Sequence, residues 1–205
     1  MTRFGRLPDP QALFDHDEAA QAFADILDAR ASEEEIEAFL IALTARGETM
    51  VEIAAAAQAM RDRLIPIDAP QGAIDVCGTG GDGHHTLNVS TAVSIVVAAC
   101  EVPVAKHGNR AASSKAGAAD TLEALGLDME RAGRMAEETL KDLGICFLFA
   151  ANHHPAMKRI QPIRQRIGQR TIFNLMGPLA NPARVKRQLI GIARPAYVPV
   201  YAEAL

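Results

Sequence analysis

Residues 1–70 repeat one pattern three times: a polar capping residue, an acidic first turn, then apolar residues at helical spacing. Ala19, Phe23, Ile26 and Leu27 follow Asp15, which with Glu18 three residues on predicts a capped helix start. Ser32 to Glu35 has capping-box spacing, with acidic residues at the positive helix end. Ile36, Phe39, Leu40 and Leu43 then form one stripe, and Gly47 lies just past it. Thr49 and Glu52 repeat the spacing ahead of Ile53, Ala57, Met60 and Leu64, with Pro66 and Pro70 as stops. No catalytic cluster occurs here, so the stretch predicts a helical domain with a stripe that could face a partner subunit.

From Ala73 the pattern alternates between strand, loop and helix. Ile74–Cys77, Val102–Ala105, Ile145–Phe149 and Leu189–Ala193 read as strands. Thr91–Cys100 is apolar almost all round, which predicts a helix buried against a sheet. Ser113 and Ser114 are cap candidates for a helix over Lys115–Leu125, with Gly126 at its C′ position. One helix is expected over Met129–Leu143, closing at Gly144. Another runs from His154 to about Ile167 with Gly168 as its stop, then a helical turn over Thr171–Met176 and a rigid Gly177–Pro182 loop. Pro195 can start a last helix, which runs to Leu205.

The alternation predicts an α/β fold: a small N-terminal helical domain plus a mainly parallel-sheet domain with right-handed crossovers. The expected domains are 1–70, completed by helices within 154–180, and 71–153 with 181–205.

Composition changes this picture little. Apolar residues make up 49% of the 205, ample for a core, but only 4% are aromatic, so aliphatic side chains must do the packing. A formal charge of −4 argues against nucleic-acid binding through a globally basic surface. Cys77, Cys100 and Cys146 lie in or beside apolar runs with no CxxC spacing, and read as buried, reduced thiols. Neither an apolar leader nor a bilayer-length apolar run is present, so a cytoplasmic protein is expected.

The candidate chemistry lies between Ala73 and Gly126. Gly78-Thr79-Gly80-Gly81-Asp82-Gly83 leaves a strand, and its glycines free backbone N–H groups to approach a ligand. It is neither a Walker loop nor a good dinucleotide fingerprint. Asn88, Ser90 and Thr91 place short polar side chains at a helix N-terminus, which favours an anion, although Ser90 could serve only as a cap. Lys106-His107-Gly108-Asn109-Arg110 puts two cations, an imidazole and an amide at the carboxyl end of a strand, the edge where open α/β sheets bind ligands. Two such loops in one βαβ unit imply a ligand with more than one phosphate. His84, His85, His153 and His154 lack acidic or Cys partners at ligand spacing.

Five segments in order resemble the anthranilate phosphoribosyltransferase family: Asp75–Gly83, Asn88–Thr91, Lys106–Lys115, His154–Lys158 and Thr171–Pro182. The resemblance implies a helical domain, which usually dimerises, and an α/β domain of nucleoside phosphorylase type. It implies transfer of the phosphoribosyl group of phosphoribosyl pyrophosphate to the amine of anthranilate, with Mg²⁺, in tryptophan biosynthesis. By the same resemblance Gly78, Gly81, Asp82, Thr86, Asn88, Val89, Ser90, Thr91, Lys106, His107, Gly108, Asn109, Arg110, Ala111, Ala112, Ser113, Ser114 and Ala118 would bind phosphoribosyl pyrophosphate. Ser90 would ligate the metal. Gly78, Asn109 and Arg164 would contact anthranilate, Arg164 through the carboxylate. Lys106, His107 and Arg110 would act by electrostatics and positioning, with no general base.

Ala118 stands where the family commonly has a hydroxyl, so its contact would be through backbone, and Leu87 replaces a common Phe. The family chain also continues past the position of Leu205, through an Asp-Glu pair that holds Mg²⁺, which implies that this chain carries only part of the α/β domain. A pyrimidine nucleoside phosphorylase shares the architecture; the Asn-Val-Ser-Thr and His-Pro-Ala-Met-Lys segments favour the transferase. A non-catalytic protein with a dimer surface and a residual phosphate site would bind without turnover.

Overall fold

A computed structural model of the chain describes residues 6–80, 87–111 and 116–205. Its first three helices begin where their caps predict. They are α1 (His16–Leu27), α2 (Glu33–Arg46) and α3 (Met50–Arg61). Asp15 and Thr49 form full capping boxes with Glu18 and Glu52. Ser32 accepts from the Glu35 amide, but the Glu35 carboxylate accepts instead from the Arg6 and Leu7 amides, so only half of the expected box exists. Gly47 ends α2 at φ 97, in the left-handed region that suits glycine. Helix α3 stops at Arg61, before either proline is reached.

The remaining elements follow in chain order. Strand β1 is Ile74–Gly78, then α4 Val89–Ala99, β2 Val104–Gly108, α5 Ala118–Ala124, α6 Met129–Arg134, α7 Ala136–Leu143 and β3 Ile145–Phe149. Next come α8 Ala150–His153, α9 Met157–Ile167, α10 Phe173–Met176, β4 Arg187–Gly191 and α11 Val198–Ala204. The helix expected over Met129–Leu143 is two helices broken at Met135, which leaves α-geometry at φ −104, ψ 14. The Gly177–Pro182 loop is in part a 3₁₀ turn over Gly177–Ala180, and β4 lies two residues earlier than expected.

The chain divides into two units. Met1–Leu64, His154–Ala180 and Ala196–Leu205 form one; Ile65–His153 and Asn181–Pro195 form the other. Residues 196–205 were expected in the α/β part but belong with the helices. Buried Tyr201 donates its hydroxyl to the Leu175 carbonyl at 2.9 Å, and the Tyr197 hydroxyl reaches Glu48 at 2.6 Å.

In the helical unit every residue of the three stripes is buried. Phe23 meets Phe39 and Phe173 edge-on, both at 6.4 Å, so α1, α2 and α10 share one aromatic centre. Fully buried Glu52 is satisfied by the Thr49 amide and by an ion pair with Arg46.

In the other unit four parallel strands lie in the order β3-β2-β1-β4, so the chain adds strands on one side of β1 and then returns to its other side. Leu140 and Ala136 of α7 pack with Ala105, Cys146 and Leu148 on one layer; Ala119 and Met129 pack with Phe147 in another cluster. Helix α4 packs against β1 and β2 as expected, but its apolar residues are covered on one side only. Only Thr91 and Ser94 are buried, while Val89, Ile95 and Val96 are more than half exposed. A sheet face covers one side of a helix, and among the described residues nothing covers the other. Cys100, at the end of α4, is likewise exposed rather than buried. Burial pushes the Cys146 thiol up to about 12, which keeps it inert. No helix is long and apolar enough to cross a membrane among the described residues.

Candidate functional site

Strand order reverses at β1, between β2 on one side and β4 on the other, and the crevice at the carboxyl ends of strands around such a reversal is where open α/β sheets bind ligands. The segment leaving β1 there is pinned to β4. The Thr79 amide donates to the Gly191 carbonyl at 2.9 Å, and the Thr79 hydroxyl accepts from the Ala193 amide at 3.2 Å. Gly78 and Gly80 remain exposed on either side of buried Thr79.

Helix α4 starts beside this edge. Asn88 occupies the N-cap position, but its side chain caps nothing: it accepts from the Thr91 hydroxyl at 2.8 Å and donates to Thr121 at 3.3 Å. Ser90 is therefore not the cap. It sits in the first turn, its carbonyl accepting from Ser94, and its hydroxyl has no partner among the described residues. Val89, Ser90 and Thr91 form that first turn; the Val89 and Thr91 amides donate to the Leu87 and Asn88 carbonyls at 2.7 and 3.1 Å, which leaves the Ser90 amide and the helix dipole to favour an anion.

Within β2, not beyond its end, the two expected site residues Lys106 and His107 are both buried, 3% and 5% exposed. The Lys106 ammonium donates to the Val76 carbonyl at 2.8 Å, inside the sheet. Burial lowers its pKa, opposed by the Asp75 charge. Asp75 itself is fully buried. One carboxylate oxygen accepts from the His107 amide at 3.1 Å, and the other has no hydrogen-bond partner among the described residues. Burial raises the Asp75 pKa, with the Asn181 side chain, the His107 amide and Lys106 pulling the other way. Asn181 in turn ties Ala105 and Ala183 together. The same burial, with Asp75 adjacent, raises the Cys77 thiol and makes it unreactive. Asp75 and Asn181 lie within the segments Asp75–Gly83 and Thr171–Pro182, but neither was expected among the site residues. An acidic residue in the apolar run Ile-Asp-Val-Cys was the available signal.

Beyond β2 the chain bends close to its neighbours. A Cβ at Gly108 would sit 2.8 Å from the Phe147 ring and 3.0 Å from Ala118, the first residue of α5. Asn109 accepts from the Arg110 amide through its side chain, leaving its amide group exposed. Arg110 is not a free cation. It is bonded to Asp120 at 3.1 Å and to Glu123 at 2.5 and 2.7 Å, above the Phe149 ring. Those carboxylates raise its pKa further. Gly81, Asp82, Thr86, Ala112, Ser113 and Ser114, and with them His84 and His85, lie outside the described residues.

In the helical unit, Arg164 lies on α9. Its guanidinium has no hydrogen-bond or ion-pair partner among the described residues, and burial alone lowers its pKa. An arginine stays charged even so, which leaves a half-buried cation suited to a carboxylate. Neighbouring Arg166, by contrast, is paired with Glu33 and Glu37.

Among the described residues no cluster of three or more His, Cys, Asp or Glu could hold a metal. The Ser90 hydroxyl is a hard oxygen donor of the kind Mg²⁺ takes, but one such ligand fits the ion only when phosphate oxygens and water supply the rest.

The chain matches two parts of one family: glycosyl transferase family, helical bundle domain, over residues 12–64, and glycosyl transferase family, a/b domain, over residues 70–205. It is 83% identical to an anthranilate phosphoribosyltransferase from Sphingopyxis alaskensis over 205 residues, all of this chain and 62% of that relative. Among solved structures it is similar to an anthranilate phosphoribosyltransferase from Thermus thermophilus, with 43% identity and a TM-score of 0.87, covering 95% of this chain and 59% of that one. It is also similar to the enzyme from Saccharomyces cerevisiae in complex with phosphoribosyl pyrophosphate and Mg, at 29% identity and a TM-score of 0.87, over 98% and 60%. The chain thus spans about three-fifths of the length of these relatives. It belongs to the glycosyl transferase family, with both the helical bundle domain and the a/b domain represented.

Proposed function

We propose that this chain carries the phosphoribosyl pyrophosphate and anthranilate-carboxylate sites of an anthranilate phosphoribosyltransferase. The anthranilate nitrogen attacks C1 of the ribose, the C1–O bond to pyrophosphate breaks, and the electron pair leaves with the pyrophosphate. The amine then gives up a proton. Positive charge builds on the sugar and negative charge on the leaving group, so donors and cations aimed at the pyrophosphate lower the barrier. The aromatic amine is neutral at pH 7, which fits a site with no general base. Positioning supplies much of the remainder.

The observation that carries this reading is the grouping at the carboxyl ends of β1 and β2. Exposed Gly78 and Gly80, the first turn of α4 with a Ser90 hydroxyl that has no partner among the described residues, and exposed Asn109 all lie along one sheet edge. Backbone N–H groups of Gly80 and Ser90, with the dipole of α4, address the anion, while the Val89 and Thr91 amides are held by the Leu87 and Asn88 carbonyls. Lys106 and His107 support it from within the sheet, and Gly108, Ala111 and Ala118 shape the floor. Arg164 holds the anthranilate carboxylate. Ser90 would contribute one oxygen to Mg²⁺, whose charge would offset that of the pyrophosphate. We read the protein as cytoplasmic and as a homodimer through the helical unit.

The test is titration of this chain with phosphoribosyl pyrophosphate and Mg²⁺, then with anthranilate, followed by pyrophosphate release when both are present. Binding of both ligands supports the reading. Failure to bind phosphoribosyl pyrophosphate, or phosphorolysis of thymidine, overturns it. A sedimentation experiment at micromolar concentration tests the dimer.

A further inference from the structure

The contacts around α5 give one residue a role that no motif suggests. The carboxylate of Asp120, three residues into the helix, accepts two backbone amides on the same oxygen: Ala111 at 2.8 Å and Gly117 at 2.8 Å. Its other oxygen accepts from the Arg110 guanidinium at 3.1 Å. The chain on both sides of residues 112–115 is thus held by a single side chain. The Ala119 amide adds a bond to the Asn109 carbonyl at 3.3 Å, and fully buried Ala119 roots the helix against Met129 and Phe147. The approach is too close for a side chain at Gly117. A Cβ there would lie 2.5 Å from the Ala111 nitrogen and 2.6 Å from both the Arg110 carbonyl carbon and the Asn109 oxygen.

We propose that Asp120 is a positioning residue that clasps Ala111 and Gly117 and so sets the course of the Asn109–Ala111 run at the ligand edge. Its role in binding rests on the proposed function above. The clasp itself does not. Arg110, held by Asp120 and Glu123, is on this view part of the clasp. The amide bonds, first that of Ala111 and then that of Gly117, hold the Asp120 carboxyl below the usual carboxylate range, as two charge-assisted acceptor bonds require.

The test compares the wild-type chain with Asp120→Ala, Asp120→Asn and Glu123→Gln. Amide exchange at Ala111 and Gly117 reports the clasp. Titration with phosphoribosyl pyrophosphate and Mg²⁺ reports its effect on the ligand. In Asp120→Ala, exchange at both amides accelerates by at least about tenfold while core amides such as that of Leu148 keep their protection. Affinity for phosphoribosyl pyrophosphate falls by about tenfold or more. Asp120→Asn, which retains one acceptor but sets a donor against Arg110, falls between. Glu123→Gln spares the two amide bonds and stays within about twofold of wild type in both readouts.

Unchanged exchange at Ala111 and Gly117 in Asp120→Ala overturns the clasp. Faster exchange with unchanged affinity overturns its link to the ligand, and a uniform loss of protection with a lower melting temperature reduces Asp120 to a general structural role. A wild-type chain that binds no phosphoribosyl pyrophosphate overturns the proposed function instead, and the exchange rates alone then decide the clasp.

Discussion

Asp75 accepts the backbone amide of His107 at 3.1 Å, an acidic side chain on β1 joined to the main chain of β2 in the interior of the sheet. The bond falls one residue beyond Lys106, whose ammonium returns to the Val76 carbonyl on β1. Two buried groups, one acidic and one basic, therefore cross between the same two strands, in the body of the sheet. Each charge relieves part of the other's desolvation cost, and removing one leaves the other uncompensated.

Asp75→Ala is expected to destabilise the protein by about 3 kcal/mol, measured by urea unfolding, because it strands both the His107 amide and the Lys106 charge. Asp75→Asn keeps an oxygen for His107 and should lose less. Equal losses in the two variants would show that the amide bond contributes nothing.

Arg164→Ala should weaken anthranilate binding by about tenfold or more and leave phosphoribosyl pyrophosphate binding nearly unchanged, since a charge-assisted bond to a carboxylate is lost. Arg164→Lys should recover only part, because an ammonium cannot present a planar fork. Calorimetric titration with each ligand separates the two effects. Parallel loss of both affinities would remove Arg164 from the anthranilate site.

Gly117→Ala is expected to cost about 1–3 kcal/mol, because the new Cβ would meet backbone atoms that no rotamer change can move aside. Chemical unfolding gives the number. A neutral outcome would mean that the neck between Ala111 and Gly117 opens freely.

The Asp28 carboxylate is bonded to Arg63 at 2.6 and 2.8 Å, which holds its pKa below the ordinary 3.8, with a smaller pull from Arg30. A depressed carboxylate pKa contributes stability that is present above 3.8 and lost as pH falls through the lowered value. The melting temperature of wild type should therefore exceed that of Asp28→Asn by a constant margin from pH 7 to about 4, worth about 1 kcal/mol or less. The margin should close below that. A gap that persists undiminished at pH 2 would rule out the ion pair as its source.

The periodic stripes of α1, α2 and α3, their caps and the parallel βαβ order are local matters of spacing and capping chemistry, and the sequence alone determined them. The motif order likewise pointed to the carboxyl ends of β1 and β2. What each polar residue does there is set by neighbours distant in sequence, which periodicity does not encode. Lys106 and His107 read as phosphate-site groups at a strand end and lie inside the sheet, because Val76 and Asp75 on the adjacent strand receive the Lys106 ammonium and the His107 amide. Arg110 read as a phosphate ligand and is met by Asp120 and Glu123 from the next helix. Helix α4 read as apolar almost all round and buried against a sheet; the sheet does cover one side, and the other is open among the described residues, since burial depends on which elements pack around a helix. Spacing specified the elements and which residues could reach a ligand. Only the tertiary structure decided which of those groups stay free, because a hydrogen bond or ion pair within the fold competes with the ligand for the same donor.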